Sequence, residues 1–449
     1  MISMNTQEVV SEAISLITPS KEEEKKAKET EEELKKRLDK TVSEPLRYRI
    51  LGSYARGTWL RGSLEIDIFI LFPEDTSPQE LEKKGLEIGK NVVDEVELRY
   101  AAHPYVHGKV RGTEVDIVPC YSLKTPEKIK SAVDRTPFHN DWLIERIKGK
   151  EDEVRLLKKF LKTSDLYGAE YSVRGLSGYL CELLTIFYGS FEKTVEECRE
   201  LTRDTVIDVE KGEISKAKGQ ENLLVLDPVD KNRNVAANLS VDKLAEFVEK
   251  CRAFVESPSI DFFAKEEVKP PGKDKLKEEI SRRRTGLCLL EFEKPDIVDD
   301  NLYTQLDRAC RKIHQHLYRR KFMPLRSSYY VKGNTCYLIF ETEVKELSAI
   351  KKKMGPPFES YKNVRKFKSK NEEYEPFIED GRYYAYISRS NFTLEEAVSE
   401  YIEMQGDSLG KNLGEKLAKF LLYSGKDIVK VDGDFRVFLA KFFGLKSAR

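Results

Sequence analysis

Hydrophobic and polar positions change their period along the chain, and the changes divide it into elements. Val9, Val10, Ile14 and Ile17 recur at helical spacing within residues 5–18. Pro19 and Ser20 then open a second helix, with Ser20 and Glu23 placed as a capping box. From Lys21 to Lys40 almost every residue is charged. The pairs Glu22/Lys26, Glu24/Lys28, Glu31/Lys35 and Glu32/Lys36 stand four apart with the acid first, so this helix reads as solvated. The period then changes to two. Residues 48–51 read as a short strand, Gly52-Ser53 as a turn, and residues 64–72 as an unbroken strand of β-branched, Leu and Phe residues. Residues 93–120 add the strand candidates VVDEVELRYA, YVHGKV and EVDIVPC.

From about Asp141 to Phe191 the pattern is helical, as in EVRLLKKFL and GYLCELLTIF. Residues 221–256 hold an apolar strand, LLVLDP, and an amphipathic helix, VDKLAEFVEKC. Residues 266–277, rich in Lys, Pro and Gly, read as a linker. Beyond it, strands (GLCLLEFE, TCYLIFE, RYYAYIS) alternate with helices. The order predicts α+β domains rather than a repeating βαβ array, and there is no internal repeat.

Composition narrows the function. At about 100–200 residues per domain, 449 residues predict roughly three domains. Lys plus Arg and Asp plus Glu each number 78, for a formal net charge of +0, which excludes a bulk polycation. It leaves room for nucleic-acid binding by charges segregated onto different faces. With 22 Phe and 21 Tyr the chain is not of the disordered class. The seven cysteines, Cys120, Cys181, Cys198, Cys251, Cys288, Cys310 and Cys336, show no CxxC spacing and read as reduced, buried thiols. No run approaches the roughly 18–20 apolar residues needed to span a bilayer. The first residues lack the basic segment of a signal peptide. The expectation is a cytoplasmic protein without membrane contact.

The chemistry concentrates in Gly52-Ser53-Tyr54-Ala55-Arg56-Gly57-Thr58 and the following Leu64-Glu65-Ile66-Asp67-Ile68-Phe69-Ile70. Alternate side chains of a strand share a face, so Glu65 and Asp67 point one way while Leu64, Ile66, Ile68 and Ile70 point into the core. Two acids side by side in an apolar strand repel each other and are costly to desolvate. A divalent cation removes both costs, and hard oxygen ligands suit magnesium. Asp116, among apolar neighbours in Thr113-Glu114-Val115-Asp116-Ile117-Val118, would complete a triad able to hold two metals if its strand lies beside the first. Backbone N–H groups at Gly52-Ser53 and the Ser53 hydroxyl could hold a triphosphate. A solvated edge strand would also carry two acids. The glycine-serine turn upstream and the third acid downstream favour catalysis.

A Gly-Ser turn, about a dozen residues, acid-x-acid on a strand and a later Asp together resemble the polymerase-β-like nucleotidyltransferases. GSYARGTWL, SLEIDIFILFP, EVDIVPCY, SAVDRTPFHNDWL, FLKTSDLYGAE, GLSGYLCELL and DPVDKNRNVAANLS, in order from about residue 50 to 240, resemble the archaeal (class I) CCA-adding enzymes, the tRNA nucleotidyltransferases. That resemblance implies an α+β multidomain fold. A polymerase-β-like head with a mixed sheet flanked by helices would occupy residues 1–140, and a helical neck with base recognition residues 141–265. An α/β body would occupy 266–315 and 395–449, with a tRNA-binding tail at 316–394. Glu65, Asp67 and Asp116 would be the catalytic, metal-binding carboxylates with Mg2+ as cofactor. Ser53, Arg56, His139, Lys158 and Tyr167, with Thr136 beside His139, would bind the CTP or ATP. Arg233 would help select the base. Chemistry alone leaves His139, Tyr167 and Arg233 open to capping, packing or surface roles. It does not choose Lys158 over the equally solvent-seeking Lys159 and Lys162, or Arg233 over the nearby Lys231 and Arg203.

From Arg308 to Lys332 the chain carries eight Lys or Arg and no acid: Arg308, Arg311, Lys312, Arg319, Arg320, Lys321, Arg326 and Lys332. His314, His316, Tyr318, Phe322, Tyr329 and Tyr330 are interleaved, and a second basic run spans residues 362–368. Clustered cations with aromatics suit an RNA backbone and its bases. Acids elsewhere, such as those from Glu341 to Glu346, could instead balance them in space. The resemblance implies contact with the acceptor stem and upper half of tRNA through backbone and shape, and a homodimer. The function expected is template-independent addition and repair of the tRNA 3′-terminal CCA. The rivals are a poly(A) polymerase or oligoadenylate synthetase and, from another class, a non-catalytic tRNA-binding protein.

Overall fold

In the computed structural model, residues 5–100, 103–219, 222–264, 270–390, 392–431 and 433–445 are described. The chain forms two compact units, Met1–Glu266 and Glu267–Arg449.

The first unit begins with helices α1 (Thr6–Ile17) and α2 (Lys21–Thr41). Ser20 and Glu23 form the reciprocal capping box that starts α2. This helix is solvated on one side only. Ala27, Thr30, Leu34 and Leu38, at helical spacing, are buried. Strand β1 (Arg47–Leu51) runs into the single-turn helix α3 (Gly52–Ala55), followed by β2 (Glu65–Phe72), α4 (Pro78–Val92), β3 (Asp94–Tyr100), β4 (Pro104–Val110) and β5 (Thr113–Tyr121). These strands form one mixed sheet in the order β1-β2-β5-β4-β3. Only the β2–β5 pair of this sheet is parallel, and β2, paired with β1 on one side and β5 on the other, is an interior strand rather than an edge. Ile66, Ile68 and Ile70 on one face join Leu34, Leu38, Val115 and Ile117 in a core. On the opposite face Phe69 packs with Leu51, Val118 and Cys120. That smaller cluster leaves the N-terminal ends of β2 and β5, with their acids, outside the apolar core.

The unit continues with α5 (Arg135–Ile147), α6 (Glu151–Lys162), α7 (Gly178–Tyr188) and α8 (Phe191–Cys198). A small sheet, β6 (Thr205–Asp208), β7 (Glu213–Lys216) and β8 (Leu224–Leu226), precedes α9 (Val241–Glu256). Phe160 on α6 lies at the centre of an aromatic cluster, with ring centroids 5.5 Å from Phe191, 5.6 Å from Phe254 and 6.1 Å from Phe263. This packing fixes α6 against its neighbours. From α6, Arg155 reaches back to donate to the Trp59 carbonyl at 3.0 Å, tying the helix to the loop after α3.

In the second unit α10 (Lys273–Arg283) leads into β9 (Gly286–Glu293), α11 (Asp299–Arg319), β10 (Pro324–Lys332) and β11 (Thr335–Thr342). Then come β12 (Ile350–Pro357), α12 (Tyr361–Lys370), β13 (Phe377–Glu379), β14 (Arg382–Ser388), α13 (Leu394–Leu409), α14 (Gly414–Leu417), β15 (Leu421–Ser424) and α15 (Gly433–Phe442). Strands β10-β11-β9-β15 form an antiparallel sheet, and β12-β14-β13 a second one. Strand β9 is buried on both faces. Cys288, Leu290 and Phe292 meet Leu302, Leu306 and Ile313 of α11, while Leu287 and Leu289 meet Leu276, Phe435 and Leu439. The linker expected at 266–277 is corrected in part. Residues 266–269 lie outside the described residues, and from Lys273 the chain is helix α10, because Leu276 and Ile280 one turn apart both find a core.

Replacing Phe160 by Ala removes the ring that packs α6 against α8, α9 and Phe263. It should lower the stability of the first unit by about 3–5 kcal/mol in urea unfolding. A loss below about 1 kcal/mol would contradict a rigid aromatic cluster.

Candidate active site

Strands β2 and β5 run side by side with Glu65 opposite Glu114 and Asp67 opposite Asp116. Paired residues of neighbouring strands project to one face, so the three predicted acids come together away from the core. Burial, then the charges of Glu65 and Asp116, push the Asp67 carboxyl up to about 7, while Arg56 and Lys158 pull the other way. Loss of surrounding water and the Asp116 charge also raise Glu65. Asp116 is buried, and its Oδ1 lies 2.6 Å from His107 Nδ1. Ligand atoms of Glu65, His107 and Asp116 all lie within 4.8 Å of one another. A set of carboxylates that cannot all ionise without a positive charge among them fits a hard divalent cation.

The turn before β2 is pressed onto these acids. Leu51 pairs with Asp67 across the sheet, and the next residue, Gly52, has φ +74°. A Cβ there would stand 1.7 Å from Asp67 Oδ2, so only glycine allows the turn to pass. Ser53 follows in α3, and the Tyr54 hydroxyl donates to Glu31 at 2.6 Å, anchoring that turn to α2.

Arg56 and Lys158 meet on a carboxylate that the sequence reading passed over. Glu182 of α7 is 0% exposed. It accepts from Arg56 Nε at 3.1 Å, from Arg56 Nη2 at 3.0 Å and from the Thr58 hydroxyl at 2.9 Å. Lys158 Nζ stands 3.5 Å from it and donates to Thr58 Oγ1 at 3.0 Å. Burial raises the Glu182 carboxyl, yet Arg56 and Lys158 outweigh it and hold it below the usual range. Lys158 is lowered by burial. Its 4% exposure corrects the expectation that Lys158, Lys159 and Lys162 are alike. Lys158 turns inward, whereas Lys162 is exposed with its ammonium 5.0 Å from the centre of the Tyr167 ring. The Tyr167 hydroxyl lies against Gly178 at the start of α7, and burial pushes this phenol well up.

A third buried acid gathers the remaining predicted residues. Asp227, after β8, accepts from His139 Nε2 at 2.9 Å, the Tyr179 hydroxyl at 3.0 Å, Arg233 Nη1 at 2.8 Å and the Val229 amide at 2.9 Å. Burial opposes its ionisation, but these donors hold it well below the usual carboxylate range. Burial lowers His139, whose ring stacks on Tyr179 with centroids 4.1 Å apart. Thr136 lies one turn before His139 on α5. Lys231 and Arg203 are exposed, so of the three basic candidates Arg233 is the one held in this constellation. Arg56 also donates to Asn140, next to His139, at 3.0 Å, joining the two groups. His107, Glu182, Tyr179 and Asp227 are the residues sequence reasoning missed. Glu182 in the apolar run GYLCELL and Asp227 ending LLVLDP carried a signal, an acid where burial requires a partner.

In the second unit the basic residues lie on α11, on β10 and, for Arg320 and Lys321, in the turn between them. Arg308, Arg311, Arg319, Lys321 and Arg326 are exposed, and Lys312 and Arg320 half-buried. Several have partners from distant segments. Arg320 stands 3.2 Å from Glu400 and Lys332 2.8 Å from Asp434, while Lys312 donates to the Ser408 carbonyl and Arg326 to the Phe442 carbonyl, each at 2.8 Å. Arg311 pairs with Asp307 within its own helix. Glu341, one of the acids considered as a balance, is instead buried against Arg283 at 2.7 Å. Arg319, Arg320 and Lys321 join Lys351, Lys352 and Arg389 around an open cavity of about 830 Å³.

Three family models match in sequence order. The nucleotidyltransferase domain covers residues 18–139, the second domain of tRNA nucleotidyltransferase residues 152–264, and the C-terminal domain of the CCA-adding enzyme residues 283–425. The CCA-adding enzyme of Archaeoglobus fulgidus is 54% identical over 95% of this chain and 97% of its own length. That of Methanosarcina mazei is 37% identical over 98% and 100%. Among solved structures, the Cid1 poly(U) polymerase with Mg 3′-dATP bound matches at a TM-score of 0.47 and 14% identity, over 58% of this chain and 98% of that one. No helix among the described residues is long and apolar enough to cross a membrane.

The raised Asp67 makes a pH prediction. Its folded value of about 7 lies above the roughly 3.9 of an unfolded Asp. The stability tied to its proton is therefore fully present below pH ~4 and lost as pH rises through ~7. In chelator-treated protein the thermal midpoint should fall across that window relative to Asp67→Asn. Parallel pH profiles for the two proteins would contradict the assignment.

Proposed function

The chain belongs to the archaeal-type CCA-adding enzymes, and we propose that its three clustered acids and the cations around them carry that family's chemistry in this protein. The activity is template-independent addition and repair of the 3′-terminal CCA of tRNA from CTP and ATP, with release of pyrophosphate. The tRNA 3′-oxygen forms a bond to the α-phosphorus as the bond from that phosphorus to the pyrophosphate oxygen breaks. The observation that carries the residue assignment is the parallel pairing of β2 and β5, with Asp67 beside Asp116 under the Gly52 turn.

Glu65, Asp67 and Asp116 would hold Mg2+, the divalent ion that an all-oxygen set of this kind suits. Bound there, it would polarise the attacking hydroxyl and neutralise charge on the leaving pyrophosphate. The protein's share is positioning and electrostatics. Arg56 and Lys158 set two positive charges against the single negative charge of Glu182, which leaves one for the triphosphate. Ser53 and the α3 amides border the same acids, and Tyr167 closes the site beside Lys162. His139 with Thr136, and Arg233 held by Asp227, form the side where the nucleoside would lie, with Arg233 placed to discriminate C from A.

In this reading residues 1–140 are the catalytic head and 141–265 the neck. The body is 266–315 with 395–449, and the tail 316–394. The basic cavity of the second unit supports contact with the acceptor stem and upper half of tRNA by Arg308, Arg311, Lys312, Arg319, Arg320, Lys321 and Arg326. The exposed members are the stronger contributors, because their side chains stand in solvent. The working form is a cytoplasmic homodimer.

Purified protein given magnesium, CTP, ATP and tRNA transcripts ending before CCA, at C and at CC should complete each end and stop. No extension would overturn the proposal, and long A-tails from ATP alone would assign a poly(A) polymerase instead. Asp67→Ala should reduce addition by on the order of 100- to 1,000-fold or more while tRNA binding persists. Retained addition would remove Asp67 from the site. Charge reversal at Arg319 and Arg320 should weaken tRNA binding and lower the slope of log affinity against log salt by about one per lost phosphate contact. An unchanged slope would count against this surface.

A further inference from the structure

We propose that His107 is a positioning residue for the reaction, holding the Asp116 carboxylate in the orientation that receives the metal. The inference rests on the reading of Asp116 as a metal ligand. His107 lies on β4 directly across the antiparallel ladder from Asp116 on β5. His107 is 7% exposed, and its neighbours on the same face of β4 are Tyr105 and Lys109. Nδ1 stands 2.6 Å from Asp116 Oδ1, and Nε2 stands 2.9 Å from Glu114 Oε2.

The chemistry of the partners decides the role. A carboxylate offers only acceptors, so the proton of the 2.6 Å bond belongs to the imidazole. With both nitrogens engaged by acids two residues apart on β5, the ring cannot turn about its axis without losing both contacts. A mixed imidazole–carboxylate ligand set would suit zinc or another transition ion, whereas an all-oxygen set with the imidazole behind it suits magnesium. The bond ties up Oδ1 of Asp116 and leaves its other oxygen for the cation.

A tether is needed here because Asp116 faces Glu65 and Asp67 across one sheet face, and like charges drive a mobile carboxylate away. Hydrogen-bonded partners behind ligating groups characteristically change metal affinity or activity by about 10–100-fold when removed. His107, Glu65 and Glu114 also line an open cavity of about 460 Å³.

The two ring nitrogens can be tested separately in the full-length protein. An Asn side chain places its amide nitrogen near the position of Nδ1, and a Gln places its own near Nε2. His107→Asn should keep the bond to Asp116, His107→Gln should keep only the contact with Glu114, and His107→Leu should lose both. Mn2+ is the probe, its binding read from the paramagnetic resonance signal of the free ion and checked against the thermal midpoint of each variant. Gln and Leu should weaken Mn2+ binding by about 10–100-fold and lower kcat with the KM for tRNA unchanged. Asn should stay close to the parent.

Equal losses in Asn and Gln, or parent-like binding in all three, would overturn the proposal. Should Leu fail to fold, the Asn–Gln contrast still decides. Asp116→Ala separates the two levels of the argument. If it binds Mn2+ like the parent, Asp116 is not a ligand and the underlying reading fails. If it loses binding while the His107 variants do not, only the positioning role fails.

Discussion

Glu65, Asp67 and Asp116 repel one another from adjacent strands, and burial removes the water that would damp the repulsion. Much of the first unit answers that one electrostatic cost. The sheet offsets part of it by sequestering Ile66, Ile68 and Ile70 on the opposite face, so the apolar side of β2 drives folding while the acidic side stays open to partners. Gly52 lets the preceding turn approach the Asp67 carboxylate more closely than any side chain would permit. Arg56 and Lys158 lend positive potential from the helical side.

The same arrangement recurs twice nearby with the sign of the balance reversed. Glu182 and Asp227 are each buried and each saturated by donors, and both remain ionised for that reason. Their donors come from different elements: the loop after α3, α5, α6, α7 and the segment after β8. Removing Glu182 would leave Arg56 and Lys158 without a counter-charge, a strongly destabilising change for buried pairs. Glu182 therefore orients the two cations that act on Asp67, and it ties the loop after α3 to α6 and α7 by charge. The clustered acids of β2 and β5 are the ones left without enough donors, which is the condition for accepting a cation.

Local signals carried much of this in the linear chain. The β2 alternation, the Ser20 capping box and Asp116 among the apolar residues of EVDIVPC were each readable because the cause and the effect lie within a few residues. The pairing of β2 with β5, which makes a triad of three separate acids, depended on a register that the pattern only allowed. Lys158 could not be told from Lys159 and Lys162, since its partner Glu182 lies on another helix and burial, not periodicity, distinguishes them. His107 stayed hidden for the same reason, because its meaning lies in Asp116 across the ladder. The basic run at 308–332 was legible as charge but not as field, because Glu400 and Asp434 approach it from far along the chain. Helix α10 was masked by a composition of Lys, Pro and Gly, while Leu276 and Ile280 supplied the core contact that decides a helix.

The central claim is that the acids on β2 and β5 form one cation site rather than three independently solvated carboxylates. Anomalous diffraction from crystals of the protein grown with Mn2+ and CTP tests it directly. The account predicts a manganese peak within bonding distance of carboxylate oxygens of both Asp67 and Asp116. Peaks confined to other acids, with Asp67 and Asp116 unliganded, would contradict it.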